Sequence, residues 1–305
     1  MLKALCLVAT LRKPRLPFTI RHLNRIFLDR DEVEASRVTL APEDRRSTHI
    51  REIIWQRRPP EPGATLRVGV LDGGVGDCSA ALTSDGGVAL DVPQTLADEA
   101  APRPKLDVVL ALPAPLRLKR VLPVLASLGV DKLWLVGSAK TEKAYFGANV
   151  LKDLPKRKPH ERTVEPAEVP RGALRDLLVE GAEQSGDPAL PRVALCRSLK
   201  AALPRVDGAA LRLAAHPDRG PDFKALDDAT GELVAIPRAR RLRDVPGAQG
   251  RAVLAVGPDR GWEEPAELAL FDAAGFDLVT LGERTLRTDV ALTALVAMVH
   301  DRLSS

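Results

Sequence analysis

Two stretches toward the C-terminal end of the chain combine residue types and spacing that suit ligand chemistry. Gly257-Pro258-Asp259-Arg260-Gly261-Trp262 follows the apolar run 253–256. That run suits a buried strand, and the glycines permit backbone conformations that other residues resist. Glu263, Glu264 and Pro265 then open a helix, where acids favour the dipole and the missing proline N–H costs nothing. Leu268, Phe271 and Ala274 set its spacing, and Gly275 ends it. A second strand, 276–281, stops at Gly282. The loop 283–287 carries Arg284 and Arg287, and Thr288 reads as the N-cap of an apolar helix reaching about Arg302. Each strand–loop–helix unit presents a turn whose backbone N–H groups can receive a ligand. Asp289 is either a base or substrate orienter, or only an acid favoured at a helix start. Arg284 and Arg287 either meet an anion or form salt bridges to Asp289 or Glu283.

Other chemistries find less support. Cys6, Cys78 and Cys196 are scattered and odd in number, so neither a zinc site nor a disulfide framework is indicated, and reduced thiols in a cytoplasm are the simplest reading. His22, His49, His160, His216 and His300 form no HExxH, and no metal is expected. Gly73-Gly74-Val75-Gly76 follows a strand but leads into another strand-like stretch, so a hairpin is the better reading than a phosphate cradle. No apolar run approaches the roughly 20 residues that a membrane helix needs. The net charge of +4 has the right sign for a polyanionic partner. Basic residues gather at 12–25, Arg45-Arg46, Arg57-Arg58, 152–162 and 238–243. One such cluster is most simply a solvated loop; five together strengthen the case for nucleic acid.

The elements that must position these loops fall into two patterns. Residues 1–20 read as a flexible basic arm, or as a stretch before the true start. From Asn24 to about Val92, short strands (25–28, 36–40, 66–71, 79–83, 88–92) alternate with turns at Asp72-Gly73-Gly74 and 84–87, and 48–55 has helical spacing. The stretch 97–105, interrupted by Pro102 and Pro104, reads as a linker between a β domain (21–98) and an α/β domain (106–305), with 99–105 as the link itself. Beyond it, strands at 106–112, 132–136, 193–196, 209–215, 253–256 and 276–281 alternate with helices at 115–128, 141–151, 168–184 and the two described above. An Asx-rich turn at 227–231 precedes a short edge strand, 231–236. Aromatic residues make up only 3% of the chain, so Leu, Val and Ala must fill both cores.

GPDRGW followed by Leu281-Gly282-Glu283-Arg284-Thr285-Leu286-Arg287-Thr288-Asp289-Val290-Ala291 resembles the two signature loops of the RsmE family. Those bacterial enzymes methylate N3 of a uridine in 16S ribosomal RNA and belong to the SPOUT class. Ala182-Glu183-Gln184-Ser185-Gly186, the helix 48–54 before Asp72-Gly73, and Ala214-Ala215-His216-Pro217 extend the resemblance across about 24–303. It departs at Arg260, which replaces a glycine, and along 112–130. The resemblance implies a small PUA-like β-barrel that grips RNA, followed by a trefoil-knotted parallel-sheet domain that binds S-adenosylmethionine. It further implies a cytoplasmic homodimer acting on 16S ribosomal RNA of the small subunit, with no membrane or metal partner. Carried over, cofactor binding falls to Ala215, His216, Pro217, Gly257, Pro258, Asp259, Gly261, Trp262, Leu281, Gly282, Leu286 and Thr288. Catalysis falls to Arg287, Arg284 and Asp289, and RNA contacts to Arg25, Arg51, Arg260, Glu183 and Gln184. Arg260 either crowds the cofactor or reaches RNA. The alternative is a non-catalytic RNA-binding or ribosome-assembly protein with a degenerate SPOUT domain.

Overall fold

The computed structural model describes residues 25–55, 64–155, 165–206 and 208–303. The arm 1–20, Cys6, His22, Arg57-Arg58, His160 and most of the 152–162 cluster lie outside them.

The first half builds an open five-stranded sheet from β1 (Ile26–Leu28), β2 (Arg37–Leu40), β3 (Ala64–Val70), β4 (Val75–Leu82) and β5 (Val88–Asp91), in the order β1-β3-β4-β5-β2. Only β1 and β3 run parallel. Asp72-Gly73-Gly74 turns β3 into β4, with the Val70 amide donating to the Gly74 carbonyl, so the glycine cluster is a hairpin. Helix α1 (Arg45–Trp55) lays Ile50 into the core formed by Leu28, Val38, Val68 and Leu90. A short helix absent from the sequence reading, α2 (Gln94–Asp98), covers the hairpin with Leu96.

The second half is a seven-stranded sheet, parallel throughout. Its elements are β6 (Leu106–Ala111), α3 (Pro115–Ser127), β7 (Val130–Val136), α4 (Ala173–Ser185), β8 (Arg192–Cys196), α5 (Leu199–Ala202) and β9 (Ala209–Ala215). They continue with β10 (Lys224–Leu226), β11 (Leu233–Ala235), β12 (Arg240–Arg241), β13 (Arg251–Val256), α6 (Ala266–Ala273), β14 (Asp277–Thr280) and α7 (Thr288–Leu303). The order is β12-β14-β9-β13-β6-β7-β8, while β10 and β11 form a separate hairpin. Both faces are covered. Val108, Leu110, Leu254 and Val256 face α3, α4 and α7, while Val109, Ala111, Val253 and Ala255 face the cluster containing Leu199, Leu268 and Phe271. A parallel sheet buried on both sides reads as continuous apolar runs, as β6 and β13 do. Gly181 lets α3 and α4 touch, since a Cβ there would strike the Pro123 carbonyl.

Three expectations need correction. The helix expected at 168–184 begins only at Ala173, because Gly172 sits at φ 149 and Ala167 pairs with Val193 as an antiparallel bridge. The helix expected at 141–151 is two 3₁₀ turns, Lys143–Gly147 and Asn149–Leu151, separated by an extended Ala148. The edge strand expected at 231–236 pairs with β10, leaving β12 to end the large sheet. The stretch read as a linker is fastened down. Arg103 donates to Asp131 Oδ1 (2.7 Å), Asp72 Oδ1 (2.6 Å) and the Leu190 carbonyl (2.7 Å), joining the two sheets. Arg251 adds bonds to Asp107 and to Asp131 Oδ2 (2.6 Å) at the same place.

Candidate active site

In a parallel sheet the strand-end loops emerge on one side, and β9, β13 and β14 are neighbours. Their three loops therefore meet in one cleft of about 650 Å³, part of it open to solvent. It brings together Ala215, His216 and Pro217 after β9, Gly257, Pro258, Asp259 and Gly261 after β13, and Leu281, Arg284, Leu286 and Thr288 after β14. Sequence reasoning missed Val256, Val279, Thr280, Thr285, Ala291 and Leu295, which also line it. Thr288, Ala291 and Leu295 are spaced three and four apart on α7, a signal that was available.

Trp262 does not line the cleft. Its side chain is 1% exposed and meets Phe271 edge to face, with ring centroids 4.8 Å apart. The indole serves the core, and its ring lies against Gly257 of the same loop. Gly282 also lies outside the lining, with its amide donating to Thr280 Oγ1 (3.2 Å). Thr288 is the first helical residue rather than the N-cap. The Arg287 carbonyl accepts the first helical bond, from Ala291, and the Thr288 hydroxyl donates to Asp259 Oδ1 (2.9 Å). Asp259 also pairs with Arg117 at the start of α3. Arg117 lies in the segment that departs from the family pattern, and its charge meets the acid of the first signature loop.

That carboxylate ties two cleft loops and α3 to one another. If the cleft takes the S-adenosylmethionine that the resemblance implies, Asp259→Ala should weaken its affinity about 10- to 100-fold, the worth of one charge-assisted hydrogen bond at about 1.5–3 kcal/mol. Calorimetry measures it, and unchanged affinity would mean the loops hold their places without the tie.

His216 is 4% exposed, and its Nε2 stands 2.9 Å from Glu264 Oε1. Neither ring nitrogen has an aligned hydrogen bond. Burial, only partly opposed by Glu264, pushes its pKa down, so the imidazole is neutral near pH 7. Arg219 Nε donates to the same Glu264 oxygen (3.1 Å).

The catalytic candidates separate. Arg284 is exposed and lines the cleft. Arg287 lies outside the lining, and its guanidinium donates to Asp289 Oδ2 (2.8 Å). Slight burial raises the pKa of Asp289, but the Val290 amide and the Arg287 charge outweigh it and hold the carboxyl below its ordinary value. A carboxylate so stabilised is a weak proton acceptor, which argues against Asp289 as the base.

Of the RNA-contact candidates, Arg25, Glu183 and Gln184 gather at the C-terminal end of α4, whereas Arg51 lies on α1 and Arg260 in the loop after β13. Arg25 donates to the Gly186 carbonyl at the end of α4, and Arg51 to the carbonyls of Gly86 and Pro42 (both 3.0 Å). Both are therefore spent on holding the fold. Glu183 accepts from Arg45 (3.0 Å), whereas Gln184 and Arg260 are exposed. Arg260 does not line the cleft, so it does not crowd a ligand there. Among the described residues no cluster of His, Cys, Asp and Glu could hold a metal ion. No helix among them is long and apolar enough to cross a membrane.

Residues 162–300 match the family model of an RNA methyltransferase domain. The chain is 25% identical over 280 residues to ribosomal RNA small subunit methyltransferase E of Treponema pallidum, covering 91% of this chain and 90% of that one. It is 25% identical over 199 residues to the methyltransferase E 1 of Borreliella burgdorferi, covering 65% and 68%. The fold is that of the Neisseria gonorrhoeae methyltransferase E solved bound to S-adenosylmethionine, with a TM-score of 0.61 at 20% identity, covering 92% of this chain and 98% of that one. The C-terminal half is thus similar in sequence to an RNA methyltransferase domain. The RsmE resemblance read from the two signature loops is borne out.

Proposed function

We propose that this protein is an S-adenosylmethionine-dependent ribosomal RNA methyltransferase that acts in the cytoplasm on N3 of a uridine in 16S RNA. The observation that carries the reading is the convergence of three glycine- and proline-bearing strand-end loops on a single cleft. The residues present fit the cofactor. Val256, Val279, Leu281, Leu286 and Leu295 offer apolar walls to an adenine, and Gly257, Pro258 and Gly261 border them. His216 supplies a buried neutral imidazole, its Nε2 beside Glu264 and its Nδ1 without a hydrogen bond. Bound there, S-adenosylmethionine supplies an electrophilic methyl group.

The chain's own task is to align the acceptor and to favour its anion, because an imide N3 is a poor nucleophile until its proton leaves. Arg284 is placed to stabilise that charge from the cleft rim. Arg287 and Asp289, paired outside the lining, hold the start of α7 and orient the substrate. The division into an RNA-gripping β half (21–98), a link (99–105) and a catalytic half (106–305) belongs to the same proposal, as does the trefoil-knotted threading. A homodimer is supported by Leu116, Leu286 and Val290, exposed apolar side chains at the starts of α3 and α7 and in the 283–287 loop. The non-catalytic alternative rested on Arg260 and the altered 112–130 segment. The first avoids the cleft, and the second supplies Arg117 to Asp259.

Titration with S-adenosylmethionine, followed by transfer of a labelled methyl group to small subunits lacking the modification, tests the reading. Saturable binding with label in 16S RNA at uridine N3 is expected. Binding without transfer would favour the non-catalytic alternative, and no binding would remove the cofactor.

A further inference from the structure

The large sheet ends at β12, whose two residues are both arginines, within the basic cluster 238–243. β12 runs parallel to β14 in register, Arg240 opposite Val279 and Arg241 opposite Thr280, and both partners line the cleft. At the roughly 4.8 Å strand spacing, this edge lies beside the β14 wall of the cleft. Carboxylates share the region, and they take up only some of its positive charge. Arg238 is held by Asp218 (2.8 Å), Arg241 approaches Glu283 (3.5 Å), and Arg287 pairs with Asp289. Arg243 is exposed beside Asp244, at 3.6 Å. Asp272 and Asp277 stand near Arg240 around a neighbouring hollow. Yet Arg240 and Arg284, both exposed, form no ion pair among the described residues. Arg240 unpaired on the sheet edge, Arg243 exposed and at 3.6 Å from its neighbour Asp244, and Arg284 unpaired on the cleft rim match the repeating phosphates of a nucleic-acid strand.

We infer that the β12 edge is the track along which the RNA backbone reaches the cleft, with Arg240 and Arg243 meeting phosphates upstream of the base presented to Arg284. The inference rests on the ribosomal RNA methyltransferase reading. Phosphate contacts set affinity and its salt dependence without reading sequence. The test uses full-length protein and a mixed-sequence single-stranded RNA oligomer, with binding measured across a salt series. For Arg240→Gln/Arg243→Gln, the slope of log affinity against log salt should flatten by about 1.4, at about 0.7 per lost contact. Cofactor affinity, measured separately, should match the parent. The double lysine variant should keep the parental slope, since a phosphate accepts either point charge. An unchanged slope in the glutamine variant, with methyl transfer intact, would overturn the track alone. Lysine losing as much as glutamine would overturn the phosphate assignment. A parent that neither binds RNA nor transfers a methyl group would overturn the reading beneath it.

Discussion

Arg284→Ala is expected to slow methyl transfer about 100- to 1,000-fold, the usual loss on removing one preorganised stabiliser of developing charge. Cofactor affinity and melting temperature should stay near parental values. Arg284 is exposed on the cleft rim, and no carboxylate holds it among the described residues. Its charge is therefore available to the acceptor base of the proposed reaction as that base loses its proton. Arg287, by contrast, already spends its guanidinium on Asp289, so Arg287→Ala should cost much less. Lysine at 284 should restore part of the rate, because it keeps the charge but not the planar two-donor fork. Single-turnover kinetics at saturating cofactor separate the two variants. A larger loss at Arg287 would reverse their roles, and a parallel loss of cofactor binding at Arg284 would make that residue part of the cofactor site.

Arg251→Met should destabilise the fold by about 3–5 kcal/mol, the range for stripping one partner from a buried ion pair. Asp107 and Asp131 have side chains only 4% exposed, and Arg251 bridges them at the start of β13. Asp131 keeps Arg103 in the variant, whereas Asp107 is left buried and uncompensated. Burial already pushes the Asp107 pKa above its ordinary 3.8, outweighing the opposing pull of Arg251. Without Arg251 it rises further. Between the unfolded and the raised folded value, the native state binds more protons than the unfolded chain, so the variant regains stability as pH falls from neutrality. Urea melts at several pH values measure this. Replacing Asp107 with leucine in the same chain should recover most of the loss, since the naked charge, not the missing bond, carries the cost. A deficit independent of pH and unrelieved by the second substitution would place the defect elsewhere.

Local chemistry made the cleft legible. The loops after β13 and β14 carry glycine, proline and helix-start signals within a few residues, and the buried strands stand out in the sequence as continuous apolar runs. The misplaced features depend on distant partners or on a single backbone angle. Nothing near Arg103 announces Asp72 and Asp131. Nothing near Asp259 announces Arg117. β12 is two arginines long, too short and too charged to read as a strand, and exists because β14 offers it an edge. Trp262 looked like a cofactor residue by its motif, and only the packing of Phe271 shows that it belongs to the core. The long helix expected at 168–184 failed at Gly172, whose φ of 149 no helix accepts.

The order β12-β14-β9-β13-β6-β7-β8 also sets a timetable for biosynthesis. β6 pairs with β7 soon after both are made, but its other edge waits for β13, whose first residue comes only after the whole of 112–250. At about 5–20 residues per second, that interval is on the order of 10–30 s of translation. Throughout it, a fully buried-type strand, Leu106–Ala111, presents an open apolar edge outside the ribosome. That edge closes only once Arg251–Val256 has emerged to pair with it.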